Sequence, residues 1–296
     1  MKHILTVFTP SFNRAYTLHK CYDSLKKQTC KDFTWLIIDD GSTDDTKELV
    51  NKWIKEGNID IKYHYQNNQG MHGAHNTAYE LIDTELNVCI DSDDYMPNDA
   101  IEKIIKFWNE NKSDKLAGII GLDAYENGQV IGQKFPENIK RTTLFDINNK
   151  HKISGDKKIV YRTEISKEYP YPLFKGEKYV GLAYKYYKID EKYELATLNE
   201  VLCIVEYLDD GSSRNMLNQY RKNPRGFAFY RIENMKNPKA DLKFKFKESI
   251  HYVSSSLLAK NNKFIKETPC KSLTIAATPV GILLYGYIKA RTSKPK

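Results

Sequence analysis

The sequence predicts an α/β protein whose mostly parallel sheet carries helices on both faces. The prediction depends on two observations in the first 120 residues. Short apolar or β-branched runs alternate with amphipathic stretches, and the apolar residues of those stretches recur at helical spacing. Alternation of strand and helix is typical of parallel sheets that are covered on both sides.

Four strands are predicted from runs of mainly apolar residues: Ile4–Phe8, Trp35–Ile38, Ile61–Tyr65 and Val88–Ile90. Three helices are predicted from apolar residues at helical spacing: Leu18–Leu25, Leu49–Ile54 and Ile101–Trp108. Ligands of such sheets bind at the carboxyl ends of the strands. Polar residues that directly follow a strand are therefore the candidate site residues.

The remainder of the chain is predicted in less detail. Residues 123–158 have little periodicity and are predicted to be an irregular insertion. A strand at Ile159–Arg162, a helix at Tyr179–Ile189 and a strand at Val201–Glu206 are expected to follow. We predict an α/β domain over residues 1–215, with halves at 1–120 and 121–215, and a helical C-terminal region over 216–296.

The composition excludes several classes of protein. Hydrophobic residues make up 41% and aromatic residues 12%, which is enough for a large core and excludes wholesale disorder. The five cysteines are widely spaced and form no CxxC motif, which argues against a disulfide framework or a zinc knuckle. Pro10 interrupts the first apolar run before a signal-peptide core could form, so we expect an intracellular protein.

The net charge of +8 is concentrated in the C-terminal fifth of the chain. Residues 236–296 carry a net charge of +10, and residues 1–235 carry −2. An apolar stretch, Ser272–Ile288, is interrupted by Pro279–Gly281 and followed by Lys289, Arg291, Lys294 and Lys296. This pattern fits shallow insertion into an anionic membrane surface, and equally a buried helical hairpin at a homodimer interface. Because the basic residues alternate with aliphatic runs instead of exposed aromatics, no nucleic-acid partner is expected.

Three polar clusters directly follow predicted strands: Thr9–Arg14, Asp39–Ser42 and Asp91–Asp94. In an extended backbone, residues i and i+2 project to the same side, so Asp91 and Asp93 would direct two carboxylates at one point. Their repulsion is costly unless a cation or hydrogen-bond donors are present. A hard divalent ion that also binds substrate phosphates is the natural occupant, whereas solvated loop acids are the simpler alternative.

The order of these motifs resembles the family two glycosyltransferases, which have a GT-A fold. The resemblance consists of strand–Pro-x-x-Asn, strand–Asp-Asp-Gly-Ser and strand–Asp-x-Asp-Asp, together with a segment at Asn68–Asn76 that is similar to the family's Asn-x-Gly-x-x-x-Ala-x-Asn. It covers roughly residues 3–210. It implies a sheet of the Rossmann-like GT-A type, with the nucleotide-sugar donor in residues 1–120 and the acceptor in residues 121–215.

The resemblance also implies roles for individual residues. The base and ribose of a nucleotide sugar, usually UDP-linked, would contact Pro10, Ser11, Phe12, Asn13, Arg14 and Asp40. Gly70, His72 and Asn76 would lie along the ribose and diphosphate. Asp91 and Ser92 would contact the donor, and Asp93 with Asp91 would bind Mn²⁺ or Mg²⁺. Relatives often have a basic residue where this chain has Met71 or His75, so the contact with the diphosphate would be either weaker or supplied by His72, His75 or Arg14.

An inverting transfer needs a base that takes the proton of the acceptor hydroxyl. Glu177, in a segment similar to the family's Gly-Glu-Lys-aromatic stretch, is the candidate, and a helix cap or a salt bridge with Lys175 or Lys178 is the alternative. The chain has Gly181-Leu182 where relatives often carry a further acid. Residues 206–213, rich in Gly and Ser, are expected either to cover the donor or to form a surface turn.

The predicted activity is a metal-dependent inverting hexosyl or N-acetylhexosaminyl transfer to a glycan, glycolipid or wall-polymer hydroxyl, performed in the cytoplasm at the inner face of the cell membrane. A sugar nucleotidyltransferase is one alternative, although Pro10–Tyr16 lacks the glycine-rich loop of that class. A non-catalytic nucleotide-sugar-binding or scaffold protein is another. The sequence has no GxxxxGK[ST] or GxGxxG motif that would indicate an ATPase or a dehydrogenase.

Overall fold

The computed structural model describes residues 3–206 and 215–292. Its strands are β1 Leu5–Ser11, β2 Phe33–Asp39, β3 Asp60–Tyr65, β4 Leu86–Cys89, β5 Leu116–Ala124, β6 Arg141–Thr142, β7 Lys157–Arg162 and β8 Glu194–Ile204. Its helices are α1 Ala15–Lys26, α2 Thr46–Glu56, α3 Met71–Leu81, α4 Ala100–Asn111, α5 Leu144–Asp146, α6 Thr163–Lys167, α7 Ala183–Ile189, α8 Met216–Lys222, α9 Pro224–Lys236, α10 Leu242–Leu258, α11 Phe264–Glu267 and α12 Lys271–Thr292. A single π-helical turn, Ile147–His151, follows α5.

The strands form one mixed, mostly parallel sheet in the order β3-β2-β1-β4-β7-β5-β8-β6. Strands β1 to β4 run parallel, as do β5 and β8, whereas β7 is antiparallel to both of its neighbours, β4 and β5. The predicted α/β class is thereby confirmed, and so is the C-terminal helical tail.

Side chains of alternate strand residues project to opposite faces, and both faces are covered. Val7 and Trp35 lie in a buried cluster with apolar residues of α1, α2 and α4. Phe8 points the other way, where its ring makes edge contacts with His75 and Tyr79 of α3. The helices predicted around residues 18–25, 49–54 and 101–108 therefore form as expected.

Three predictions of secondary structure were wrong. The helix predicted from Tyr179 begins at Ala183, because the segment before it forms a loop. Residues 123–158 contain more order than expected, including the end of β5. The break expected at Pro279–Gly281 is absent, since α12 continues through Pro279.

The chain divides into two compact units. Among the described residues, the first contains 3–170 and 192–206, and the second contains 171–191 and 215–292. In the second unit α12 packs closely on α10, where a Cβ added to Gly281 would lie 2.6 Å from the Val253 side chain. A buried ion pair between Arg231 and Glu248, 3.0 Å long, links α9 to α10.

Candidate active site

The first two predicted clusters contact each other at the carboxyl edge of the sheet. The Asn13 amide donates to Ser42 Oγ at 2.9 Å, and Asn13 Oδ1 accepts from the Thr43 amide at 2.7 Å. Asn13 has a φ of +54°, a left-handed conformation that asparagine tolerates better than most residues. Pro10, Asn13 and Arg14 are partly exposed, Phe12 is 48% exposed, and Ser11 is buried. The edge therefore presents an aromatic ring and polar groups to solvent.

Asp40 lies beneath this edge and holds the segment that leads into α3. Its Oδ1 accepts from Gln66 Nε2 at 2.7 Å and from the Gln69 amide at 2.8 Å, and its Oδ2 accepts from the Gly70 amide at 2.7 Å. The carboxylate is 3% exposed. A carboxylate beside the first turn of a helix is favoured by the helix dipole. The structure thus shows Asp40 organising the loop that precedes α3.

The residues of α3 differ sharply in exposure. His72 and His75 are each 1% exposed, and the His75 ring packs between Phe8 and Tyr79. Asn76 is partly exposed. Two of the three residues considered for the diphosphate, His72 and His75, therefore lie in the interior, and Arg14 is the one that reaches solvent.

The acidic turn after β4 separates into an outer and an inner pair of residues. Asp91 and Asp93 are partly exposed, whereas Ser92 and Asp94 are buried. Asp94 Oδ1 accepts from the Glu206 amide at 3.2 Å, and Cys203 Sγ donates to Asp94 Oδ2 at 3.8 Å. Tyr95 and Ile204 are joined by a pair of backbone hydrogen bonds. The turn is therefore attached to the end of β8 through Asp94 and Tyr95, whereas Asp91 and Asp93 are partly exposed and Asp91 Oδ1 accepts from Cys89 Sγ at 3.7 Å.

The outer pair fits a hard divalent cation. Carboxylate oxygens are the ligands that Mn²⁺ and Mg²⁺ prefer, and such ions usually keep positions for substrate phosphates. Within residues 3–206 and 215–292, no group of three or more His, Cys, Asp or Glu side chains is arranged to hold a metal. Asp91 and Asp93 together supply two carboxylates of the kind that such an ion binds.

A buried cluster of charges that was not predicted from the sequence lies behind the acidic turn. Lys158 at the start of β7 and Asp123 near the end of β5 lie near Asp94. Burial raises the pKa of Asp94 to about 7 and that of Asp123 to about 6, in both cases against the lowering effect of Lys158. Burial alone would lower the pKa of Lys158, but the surrounding acids hold it well above its ordinary value.

Glu177 belongs to the second unit, where it caps a helix. Its Oε1 accepts from the Arg225 amide at 3.1 Å and from Arg225 Nε at 2.9 Å, and its Oε2 accepts from the Gly226 amide at 2.8 Å. Arg225 and Gly226 both lie in the first turn of α9, and Glu177 is 9% exposed. The helix-cap interpretation is the one that these contacts favour, although the partner is Arg225 and not Lys175 or Lys178.

An open, mostly parallel α/β sheet with polar clusters at the carboxyl ends of its strands defines a class of proteins that bind ligands at that edge. Within that class, residues 6–169 match the model of Glycosyl transferase family 2, and the chain belongs to this family. The resemblance inferred from the motifs is thereby confirmed.

Curated relatives cover part of the chain. A chondroitin synthase of Pasteurella multocida is 29% identical over 136 residues, which is 45% of this chain and 14% of that protein. The poly(ribitol-phosphate) β-N-acetylglucosaminyltransferase TarS of Staphylococcus aureus is 27% identical over 165 residues, which is 55% of this chain and 28% of that protein. The aligned segment is therefore less than a third of the length of either relative.

Solved structures support the fold over nearly the whole chain. S. aureus TarS residues 1–349 in complex with UDP-GlcNAc aligns with a TM-score of 0.61 at 18% identity, covering 97% of this chain and 83% of that one. The mannosyltransferase PcManGT of Pyrobaculum calidifontis, in complex with GDP-Man and Mn²⁺, aligns with a TM-score of 0.56 at 17% identity, covering 100% and 77%. The GT-A fold expected from the sequence is thus confirmed.

Proposed function

We propose that this protein is a metal-dependent glycosyltransferase that moves a sugar from a nucleotide sugar, preferably a UDP-sugar, to a hydroxyl of a glycan, glycolipid or wall polymer. The observation that carries the proposal is the acidic turn after β4, in which Asp91 and Asp93 are partly exposed. The chain that contains this turn belongs to Glycosyl transferase family 2. The relatives named above are described as a chondroitin synthase, a poly(ribitol-phosphate) β-N-acetylglucosaminyltransferase and a mannosyltransferase. The family match disfavours a sugar nucleotidyltransferase.

The donor would lie along the edge formed by β1, β2 and β4. Phe12, Asn13 and Arg14 are exposed enough to contact the base and ribose. Asp40, Ser11 and Gly70 would act indirectly, by shaping the loops around the base and ribose. Asn76, Asp91 and Ser92 would border the ribose and diphosphate, with His72 supporting α3 from the interior. Bound through Asp93 and Asp91, Mn²⁺ or Mg²⁺ would stabilise the charge of the departing nucleoside diphosphate.

Glu177 remains our proposed base for an inverting transfer, in which a deprotonated acceptor hydroxyl attacks the anomeric carbon. An ionised carboxylate has about four lone-pair positions, and three are occupied by the hydrogen bonds from α9. The remaining position, on Oε2, would have to receive the acceptor proton. The support for this role is the position of Glu177 in the Gly-Glu-Lys-aromatic segment.

We also propose that α12 attaches the enzyme to an anionic membrane surface, with a lipid-linked acceptor. Lys271–Thr292 is long and apolar enough to cross a membrane by length and composition. Its buried residues, including Ala277 and Gly281, lie on the side that packs on α10, whereas Ile275, Ile282 and Leu283 are 50–73% exposed. An apolar face with Lys289 and Arg291 at one end suits shallow insertion into anionic lipid.

Vesicle flotation tests the membrane proposal. The protein should float with vesicles that contain phosphatidylglycerol at low salt, and Leu283→Glu should reduce the bound fraction while Lys260→Glu, outside α12, should not. Absence of binding to the anionic vesicles would overturn the proposal, and a concentration-dependent dimer that Leu283→Glu dissociates would assign the face to a second copy instead.

A panel of nucleotide sugars tests the transferase proposal. Thermal unfolding should shift upward with a UDP-sugar in the presence of Mn²⁺ and much less without the metal. Indifference to every nucleotide sugar would overturn it. Inversion is then tested by the anomeric configuration of the product, measured by NMR.

A further inference from the structure

The antiparallel strand β7 brings a lysine to the edge where the acidic turn lies. Because β7 runs against β4 and β5, its first residues lie level with the last residues of those strands. Lys158 is registered opposite Gly121 of β5, two residues before Asp123. The start of β7 therefore lies at the proposed donor edge. The polar clusters there follow parallel strands, whereas Lys158 lies at the beginning of an antiparallel strand.

Lys158 is buried among acids. Its Nζ lies 4.0 Å from Asp94 Oδ2, and the two side chains are 12% and 7% exposed. Asp123 is 3% exposed, and among the described residues its Oδ1 has no hydrogen-bond partner. Two carboxylates and one ammonium thus share an interior location directly behind the turn that carries Asp91 and Asp93.

This arrangement answers a difficulty raised by the sequence. Four carboxylates at one edge, those of Asp91, Asp93, Asp94 and Asp123, would repel one another strongly without a cation. The lysine supplies a permanent positive charge on the interior side, beside Asp94. Asp94 can then serve as an anchor, through the Glu206 amide and Cys203, and is not needed as a metal ligand.

We propose that Lys158 is a positioning residue of the donor site: its ammonium neutralises the buried Asp94 and Asp123, fixes Asp94 as the anchor of the turn, and leaves Asp91 and Asp93 to face the donor. The inference rests on the proposed function for the identity of the ligand, but the ion pair itself can be tested without any ligand.

The matched control is the neighbouring residue on the same strand. Lys157 is partly exposed, and its Nζ donates to the backbone carbonyls of Ser154, Gly155 and Asp156. Lys157→Met therefore removes a lysine of the same strand without removing the contact with Asp94.

The test is a double-mutant cycle that combines Lys158→Met with Asp94→Asn. Lys158→Met should lower the melting temperature well below that of Lys157→Met, and Asp94→Asn should restore much of the loss because a neutral amide needs no cation beside it. The double variant should still show a raised KM for the donor, about fivefold or more, with a smaller change in kcat, since its turn lacks the ion pair. A role confined to stability would return KM to the wild-type value.

Two results would overturn the proposal: a melting temperature for Lys158→Met equal to that of Lys157→Met, or a double variant in which the two losses simply add. If Lys158→Met does not fold, the melting temperatures of Asp94→Asn and the double variant are compared instead, and we expect them to be similar. A double variant that also fails to fold would count against the Lys158–Asp94 ion pair. If the wild-type protein binds no nucleotide sugar, the proposed function fails, while the melting cycle still tests the pairing.

Discussion

The Gly70 amide donates a 2.7 Å hydrogen bond to Asp40 Oδ2, which ties the residue after β2 to the residue that precedes α3. Gly70 has a φ of +82°, in the left-handed region that glycine adopts without strain. Gly41 lies close to the same loop, since an added Cβ would be 2.9 Å from the Asn68 nitrogen. The loops that border the proposed donor are therefore held together by one carboxylate and two glycines.

We predict that Asp40→Asn destabilises the fold and weakens donor binding together. An amide group offers one acceptor oxygen in place of two, so at least one buried N–H donor among Gln66, Gln69 and Gly70 loses its partner, at a cost of about 1–3 kcal/mol. Urea denaturation and UDP titration measure the two effects.

Asp45→Asn is the control for Asp40→Asn, because Asp45 is exposed and makes no side-chain capping bond to α2. It should change the free energy of unfolding by less than about 0.5 kcal/mol. An Asp40→Asn variant as stable as this control would show that the three hydrogen bonds contribute little.

We predict that Glu177→Gln abolishes transfer and leaves nucleotide-sugar binding nearly intact. The amide cannot accept the acceptor proton, and the donor residues belong to the other compact unit. The same change should lower the melting temperature, because an NH₂ group would face an N–H donor of α9. Turnover and UDP-sugar affinity are measured below the unfolding transition.

Arg225→Ala separates the two roles of Glu177. It removes the contact from Arg225 Nε but keeps the backbone amides of Arg225 and Gly226 as donors. If the role of Glu177 were purely structural, Glu177→Gln and Arg225→Ala would show similar, modest losses of turnover. Retained turnover in Glu177→Gln would remove this residue from the chemistry.

We predict that Lys185→Met stabilises the protein most at neutral and acidic pH. Burial lowers the pKa of Lys185 to about 7 from 10.5 in the unfolded chain, while the ammonium packs against the Tyr171 ring. The unfolded state therefore binds more protons between pH 7 and 10.5, so the cost of the buried lysine is fully present below pH 7 and declines as the pH rises.

Denaturation midpoints of the wild type and Lys185→Met at pH 6.5, 8 and 9.5 test this dependence. The stability difference should shrink steadily across the series. Lys188→Met on the same helix should instead destabilise the protein by about the same amount at all three pH values, because Lys188 has ion-pair partners in Glu191 and Glu233 and its pKa is raised from 10.5, so it is charged in both states across the series. A difference that is constant with pH would show that Lys185 stays charged in the fold.

The parallel half of the sheet was largely predictable because β1, β2 and β4 are mainly apolar and buried, and each is followed by a polar turn. Residues 91–94 are recognisable for that reason. Lys158 was missed because it lies at the beginning of an antiparallel strand, and strand direction is set by pairing with β4 and β5 and not by local sequence. A search for charged residues before, as well as after, apolar runs would have found it.

Strand β5 and helix α12 show the same limit. Gly118 and Gly121 weaken the strand pattern locally, but a Cβ at Gly118 would lie 1.9 Å from the Val160 carbonyl oxygen, so the close approach of β7 requires glycine there. Pro279 predicts a break in α12, yet packing on α10 keeps the helix continuous. In both cases tertiary contacts outweigh the local preference.

We propose above that Asp93 and Asp91 hold a divalent ion that fixes a nucleotide-sugar diphosphate. Calorimetric titration of the wild type and Asp93→Asn with UDP-sugars, with and without Mn²⁺, is the decisive measurement. We expect binding to the wild type to depend on Mn²⁺ and to be at least about tenfold weaker in Asp93→Asn. Equal affinity in the two proteins, or affinity unchanged by removal of the metal, would contradict it.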